Sequence, residues 1–542
     1  MIYRKEVNIW LLISSILVLL IIIPSLFIVT GLFSAVNQNW IHIKEYLLQS
    51  YIYNSVILVV FTGILSIVIG LSSAWLVTVY DFPFRNFFKW ALVLPLSIPP
   101  YIGAFTYEGL LNYTGPFQSF FRNTLNINLN PQYLDIMNLY GAVFIYTIFL
   151  YPYVYLITRS FLEKQSASLV EISRTLGKSS FNIFINVILP ISRGALVGGV
   201  SLVILEVLND YGVVKYFSIS TFSTAIFKTW FGLGDLNSSV RLSAILMIFI
   251  FLLLGLEKFM RCGRKYSYSN SKVRPISRIK LSKGKSPLVN LYLAAILVIG
   301  FIIPVSLLGY WSILSFDNIL IADYLGYGLN SIGVALISAI LIIISAAIIS
   351  NTVRISNNIL TRYFSRIAIM GYSIPGAVIA VGILIFSLKI DQVIQWLLGN
   401  NSLLIVSTGI YMLIAAYIIR FLAIAYNSID TGFSKVGLQF LEASRTLGKG
   451  ITYSFFKIDL PMIKPAVISG FLLVLIEILK ELPLTLILRP FNFNTLATRA
   501  YEYANDEMIH EASLSSLFLI VICVFMVYIL QNIGKRGKRD VY

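Results

Sequence analysis

Along most of the chain, apolar residues run on without alternation in blocks of roughly 18–25, separated by short polar stretches. At 1.5 Å per residue, blocks of that length match a hydrocarbon core about 30 Å thick. Lipid offers no partners for backbone amides, and strand-like alternation is missing, so helices are the predicted element. Twelve spans fit the pattern. The first six are 9–33, 54–80, 90–111, 139–162, 194–213 and 240–260. The second six are 288–315, 330–353, 367–389, 403–427, 465–489 and 513–533. The first block superficially resembles a secretion signal, but it is too long and no small-residue cleavage site follows. It reads as an uncleaved span.

Composition agrees with this pattern. Of 542 residues, 58% are hydrophobic and 12% charged, about half the charge of an ordinary soluble domain. Water-soluble globular domains are excluded, and so is disorder, which needs low hydrophobicity. The net charge of +17 is scattered over short loops, a pattern of topology rather than nucleic-acid binding. With both termini placed on the cytoplasmic side, 32 of the 41 basic residues fall on that side and 9 on the other. Ten of them crowd the Ser-, Gly- and Pro-containing stretch between Lys258 and Lys285. A mobile, basic cytoplasmic linker over 261–287, close to anionic lipid headgroups, is therefore expected between halves 1–260 and 288–542.

The halves repeat each other. Glu171-Ile-Ser-Arg-Thr-Leu-Gly-Lys178 returns as Glu442-Ala-Ser-Arg-Thr-Leu-Gly-Lys449, an offset of 271. At the same offset Leu189-Pro190 matches Leu460-Pro461, Glu206 and Asp210 match Glu477 and Glu481, and Phe222 and Thr224 match Phe493 and Thr495. Upstream, Asn54-Ser55 matches Asn330-Ser331, and Ser97-Ile98-Pro99 matches Ser373-Ile374-Pro375, at offset 276. Six spans per half give both halves the same orientation. That predicts a pseudo-two-fold axis along the membrane normal with a pathway between the lobes.

The duplicated segments, 171–190 and 442–461, fall in loops on the cytoplasmic side. Each reads as a short polar helix stopped by a glycine, Gly177 or Gly448, with a proline opening the next span. Such a helix offers a carboxylate and a guanidinium to a soluble partner. The run Gly177-Lys178-Ser179 imitates the end of a phosphate-binding loop, but Ile172 stands where that loop needs glycine. No ATP site is expected in this chain.

These residues resemble the glycine-ended coupling motif of ABC importer permeases, with Ile172, Ser173 and Ser444 as mild departures. The resemblance implies an all-α polytopic fold of about twelve spans, like the type I permeases, in a bacterial plasma membrane. It implies that Glu171, Arg174 and Gly177, with Glu442, Arg445 and Gly448, contact two copies of an ATP-hydrolysing subunit. ATP would be used there, and no cofactor would be bound by this chain. Tyr151–Tyr155, Glu206–Gly212, Thr229–Asp235, Lys480–Thr485 and Tyr501–Tyr503 further resemble the fused, two-lobed permeases of ferric-iron importers. That implies uptake of iron(III) delivered by an extracytoplasmic binding protein. Related permeases for thiamine, phosphonate or polyamine share the fused layout and stand as alternatives.

On the residues themselves, Glu206 and Asp210 share a helix face at i, i+4, and Glu477 and Glu481 repeat the arrangement. Carboxylates within spans are costly and face a cavity or a partner. Oxygen-rich lining suits a hard cation, tempered here by Lys480 and Arg489. Docking of the binding protein, or local pairing, is the competing expectation for the same four groups. Glu108 is a weaker candidate in the third span. His42 and His510 have no ligand spacing and read as surface residues, and Cys262 and Cys523 form no disulfide framework. No metal site is assigned, and no catalytic constellation suggests an enzyme. An ion-coupled secondary transporter is the other class with this layout, but its motif between spans two and three is missing from Asp81-Phe-Pro-Phe-Arg85.

Overall fold

A computed structural model describes residues 2–30, 33, 36–164, 173, 175–261, 278–282, 284–316, 321–356, 358–399 and 404–539. Among them, nine helices are long and apolar enough to cross a membrane, and twelve spans result when three bent helix pairs each count as one. The first lobe begins with α1 (Ile2–Thr30) and α2 (Leu48–Val79). A broken span follows, α3 (Arg85–Ala91) and α4 (Pro100–Leu111), then α5 (Leu139–Lys164) and α6 (Arg193–Asn209). Two short helices, α7 (Gly212–Tyr216) and α8 (Phe222–Phe227), lead into α9 (Leu236–Arg261).

The second lobe repeats the order. Its helices are α10 (Lys285–Leu297), α11 (Ile303–Leu314), α12 (Ile321–Ser356), α13 (Ile359–Met370), α14 (Gly376–Leu398) and α15 (Ile410–Val436). Then come the short α16 (Gln439–Thr446), α17 (Lys464–Lys480), α18 (Pro483–Leu488), α19 (Leu496–Asn505) and α20 (Ile509–Arg539). In each lobe the second, fourth and fifth spans form the packed centre: α2, α5 and α6, then α12, α15 and α17. Small residues permit that closeness, as hydrophobicity alone cannot drive helices together in lipid.

The first span of each lobe leans across to the other. α1 packs on α12, α13 and α14, and α11 packs on α4. Ser14 and Thr352 share a buried hydroxyl hydrogen bond of 2.7 Å across this contact. Trp10 Nε1 donates to Thr452 Oγ1 at 3.2 Å, which holds the start of α1 at the face carrying the second copy of the motif. α20 starts beside His510 and Glu511 at an outer cavity and is 31 residues, about 46 Å, long.

The repeat has a structural counterpart at offset 271. Wider i→i+5 turns occupy Phe184–Ile188 and Phe455–Asp459, directly before the two Leu-Pro pairs. The chain then bends by 65° into α6 and by 76° into α17, as expected where proline and a widened turn interrupt the hydrogen-bond ladder.

Three sequence expectations shift. The fifth and eleventh spans stop at Asn209 and Lys480 rather than near 213 and 489. The reason is the extended backbone of Asp210 and Glu481, whose carboxylates cap the next short helices through Val213 N–H (2.8 Å) and Leu484 N–H (3.1 Å). Downstream, Phe222 and Thr224 do not superpose on Phe493 and Thr495. The helix-capping threonines are Thr221 and Thr495. The matching bonds, Asn54 to Ser220 O and Asn330 to Asn494 O, put the local offset at 274. Finally, part of the linker has structure. Ile279–Lys280 pairs in parallel with Tyr80–Asp81, fastening the linker's end to the first lobe. Residues 262–277 and 283 of the linker lie outside the described residues.

Candidate functional site

The second copy of the motif forms α16, with Leu441 and Ser444 turned inward. Glu442 and Arg445 are on its exposed side. Ser444 Oγ and Ser454 Oγ are 2.7 Å apart and pin the helix to the segment that follows. Gly448 adopts φ +78°, and Lys449 N–H reaches back to Ser444 O at 3.2 Å. The first copy has the same stop, with Gly177 at φ +74° and Lys178 N–H to Ser173 O at 3.1 Å. A Cβ is disfavoured in this left-handed region, which is why both stops are glycine. Glu171 and Arg174 lie outside the described residues. Leu176 and Leu447, not singled out from the sequence, are 72% and 79% exposed at the tips of the two motifs. The legible signal was an apolar residue at the same place in two otherwise polar segments.

Glu206, Asp210, Glu477 and Glu481 line one cavity of about 60 Å³ between the lobes, room for a few waters. Ile98 and Pro99 of the first Ser-Ile-Pro copy line the same cavity, and both copies interrupt the helix they fall in. Ile98 and Ile374, each preceding a proline, are extended. Glu206 Oε1 accepts from Tyr372 Oη at 2.9 Å, and Asp210 Oδ2 from Tyr146 Oη at 2.7 Å. Glu477 pairs with Lys480 at 3.2 Å, and Glu481 with Arg420 at 3.3 Å. Arg420 went unremarked in the sequence, although a lone arginine inside an apolar span was the available signal. Gly376 makes room for it, since a Cβ there would stand 2.2 Å from Arg420 Nη1. Arg489 does not join the cavity. It pairs with Glu502 and Asn494 beside α19, because the eleventh span has already ended.

The tyrosines Tyr146 and Tyr417 occupy matching positions, the latter 2.6 Å from Thr485 Oγ1. The cations break the symmetry. At offset 271, Arg420 and Lys480 correspond to Phe149 and Asn209, so both positive groups come from the second lobe. Several lining atoms have no hydrogen-bond partner: Arg420 Nε and Nη1, Asn209 Oδ1 and Tyr101 Oη.

Glu108 belongs to a second cavity, of about 640 Å³, on the face away from the motif. Asn112 and Tyr216 each donate to it at 3.2 Å. Glu507, His510 and Glu511 of the second lobe share that cavity. It lies about 10 Å further along α4 than Tyr101. Tyr501 packs on both Tyr101 and Tyr211, ring centroids 6.2 and 6.0 Å apart, deeper than this outer cavity. His42 is exposed beside Tyr46. Also on this face, Asp235 accepts from Asn37, Asn39 and Ser238. Burial alone would raise its carboxyl, but these hydrogen bonds outweigh it and hold the group below the ordinary range. Among the described residues no cluster of three or more histidine, cysteine or acidic groups is arranged to hold a metal ion.

Two helical lobes around a charged cavity, with paired motifs at one face, define a multi-pass membrane permease. The chain belongs to the family described as binding-protein-dependent transport system inner membrane component, whose model matches residues 66–257 and 339–540, once in each lobe. It is the permease of an ABC transport system, a class that works with an ATPase and a binding protein in the inner membrane. It is 27% identical over 484 residues to the Fe(3+)-transport system permease protein FbpB 2 of Haemophilus influenzae, covering 88% of this chain and 89% of that one. A probable ABC transporter permease, y4fN, of Sinorhizobium fredii is 21% identical, covering 88% and 86%. The sulfate transport system permease CysT of Salmonella typhimurium is 28% identical over 28% of this chain and 51% of its own.

Proposed function

We propose that this chain forms the membrane pathway of an ATP-driven importer of iron(III), handed over at the face bearing Glu108 by an extracytoplasmic binding protein. The observation that carries the reading is the quartet Glu206, Asp210, Glu477 and Glu481 gathered in one cavity lined by both lobes. Four oxygen-rich anions against two cations favour a hard, highly charged cation over an oxyanion such as sulfate. The end-to-end likeness to a ferric-iron permease supports the same cargo.

The motif face, with both termini, is the cytoplasmic side in this reading, in keeping with the bias of basic residues. Two ATPase copies dock there, one on each motif, through Glu171, Arg174 and Gly177 and through Glu442, Arg445 and Gly448. Leu176 and Leu447 add an apolar anchor to each contact. Closure of the ATPase dimer draws the two motifs together and opens the lobes at the other face. ATP is hydrolysed by those subunits, and this chain holds no cofactor.

The test is uptake of radiolabelled iron into vesicles containing the permease, its ATPase and the binding protein. Iron accumulation that needs both partners and ATP is expected. Accumulation of thiamine, a phosphonate or a polyamine, with none of iron, would reassign the cargo. Uptake driven by a proton gradient without ATP would remove the mechanism.

A further inference from the structure

We propose that Arg420 and Lys480 are tethered counter-cations that occupy the carboxylate quartet in the resting transporter and exclude free cations of low charge, yielding only to a multivalent cargo. The proposal rests on the reading above for the cavity's place on the pathway, and goes beyond it in assigning a charge filter. Four carboxylates without positive partners inside a membrane protein would each forfeit hydration with nothing to replace it. Here Glu477 and Glu481 are paired with Lys480 and Arg420 at 3.2 and 3.3 Å. The cations are not required by the repeat, because Phe149 and Asn209 hold the matching places in the first lobe.

The four carboxylates are not equivalent. Asp210 and Glu481 are fixed by the backbone N–H groups they cap. Glu206 and Glu477 have only side-chain partners, Tyr372 and Lys480, and can be released by rotation of a side chain. The cavity wall also holds groups in wait. Arg420, Asn209 and Tyr101 are 4%, 3% and 2% exposed, yet Arg420 Nε and Nη1, Asn209 Oδ1 and Tyr101 Oη have no partner. Buried polar atoms left so are costly and point to a ligand or water that enters the cavity. In the resting arrangement these groups do not make a metal site. Withdrawal of the two cations would leave carboxylate, amide and phenol oxygens facing one small space, a donor set suited to a hard ion. A monovalent ion gains too little Coulomb energy to displace two tethered charges, whereas a trivalent ion gains about three times as much at each carboxylate.

Terbium(III), a hard trivalent probe excited through tyrosine, provides the test. Its luminescence is titrated on the full chain in lipid nanodiscs, for wild type, Arg420→Gln/Lys480→Gln, and the same pair with Glu206→Gln/Glu477→Gln. The double variant is expected to bind terbium at least tenfold more tightly than wild type, and the quadruple variant to lose that gain. Lys480→Gln alone, a milder change, should give a smaller gain of the same sign. Capture of the ATPase subunit verifies that each variant is folded. Equal binding by wild type and double variant, a gain that survives in the quadruple variant, or no binding in any of them would overturn the proposal. If iron uptake fails while the terbium pattern holds, the cargo assignment falls and the filter stands.

Discussion

Arg354 and Asp459 form a buried ion pair, Nη1 to Oδ1 2.9 Å, at the root of the second motif helix. Arg354 also donates to Gly437 O, at the end of α15. One guanidinium thus ties together the chain entering the motif and the chain leaving it. The matching positions in the first lobe are Thr78 and Ile188, so this tie belongs to one motif. Removing one member of a buried pair leaves the other charged and unpaired, at about 3–5 kcal/mol. Asp459→Asn should therefore lower the unfolding midpoint in detergent markedly. Arg354→Thr/Asp459→Ile, which installs the first lobe's pair, should cost less than the two single changes added together. Strict additivity in that cycle would show that the pair is not coupled.

The motif helices provide a second prediction. Charge reversal at Glu171 together with Glu442 should abolish ATP-driven uptake while leaving membrane insertion and span count intact. Leu176→Asp with Leu447→Asp should weaken capture of the ATPase at least tenfold. Normal uptake by the glutamate variant would count heavily against docking at these sites.

Gly448→Ala and Gly177→Ala test the helix stops. Each adds a Cβ to a left-handed residue, at a cost of about 1–2 kcal/mol, with nothing within 4 Å for it to strike. The penalty should thus be conformational. The aim of the motif tip should suffer before global stability does, seen as futile ATP hydrolysis per molecule transported in the reconstituted complex.

Acid should loosen the outer knot at Asp235. Its carboxyl is depressed in the folded protein, so its stabilisation is present above the unfolded pKa of about 3.9 and is lost as pH falls through the lower folded value. Backbone hydrogen exchange in 37–42 should rise below about pH 4 in wild type. Asp235→Asn should show faster exchange already at neutral pH, with that acid step removed.

The spans and the repeat were legible because both are written in apolar length and offset, which lipid enforces. The motif glycines were legible because a left-handed stop has almost one residue to choose from. Arg420 was harder. A single arginine in 410–436 registers as a charge in a topology count, and its partner Glu481 is 61 positions away in the chain. The early end of α6 and α17 also escaped prediction. The hydrophobic pattern continues past Asp210 and Glu481, and only their capping of the next helix turns the chain. Tyr372 became visible only when the break at Ile374 brought it to Glu206.

The placement of both cavity cations in one lobe has a consequence for ancestry. Two copies of the first lobe would enclose four acids and no base, and two copies of the second would enclose four acids and four bases. Neither self-paired arrangement gives the mixture found here, which becomes heritable once unlike lobes are joined in a single polypeptide.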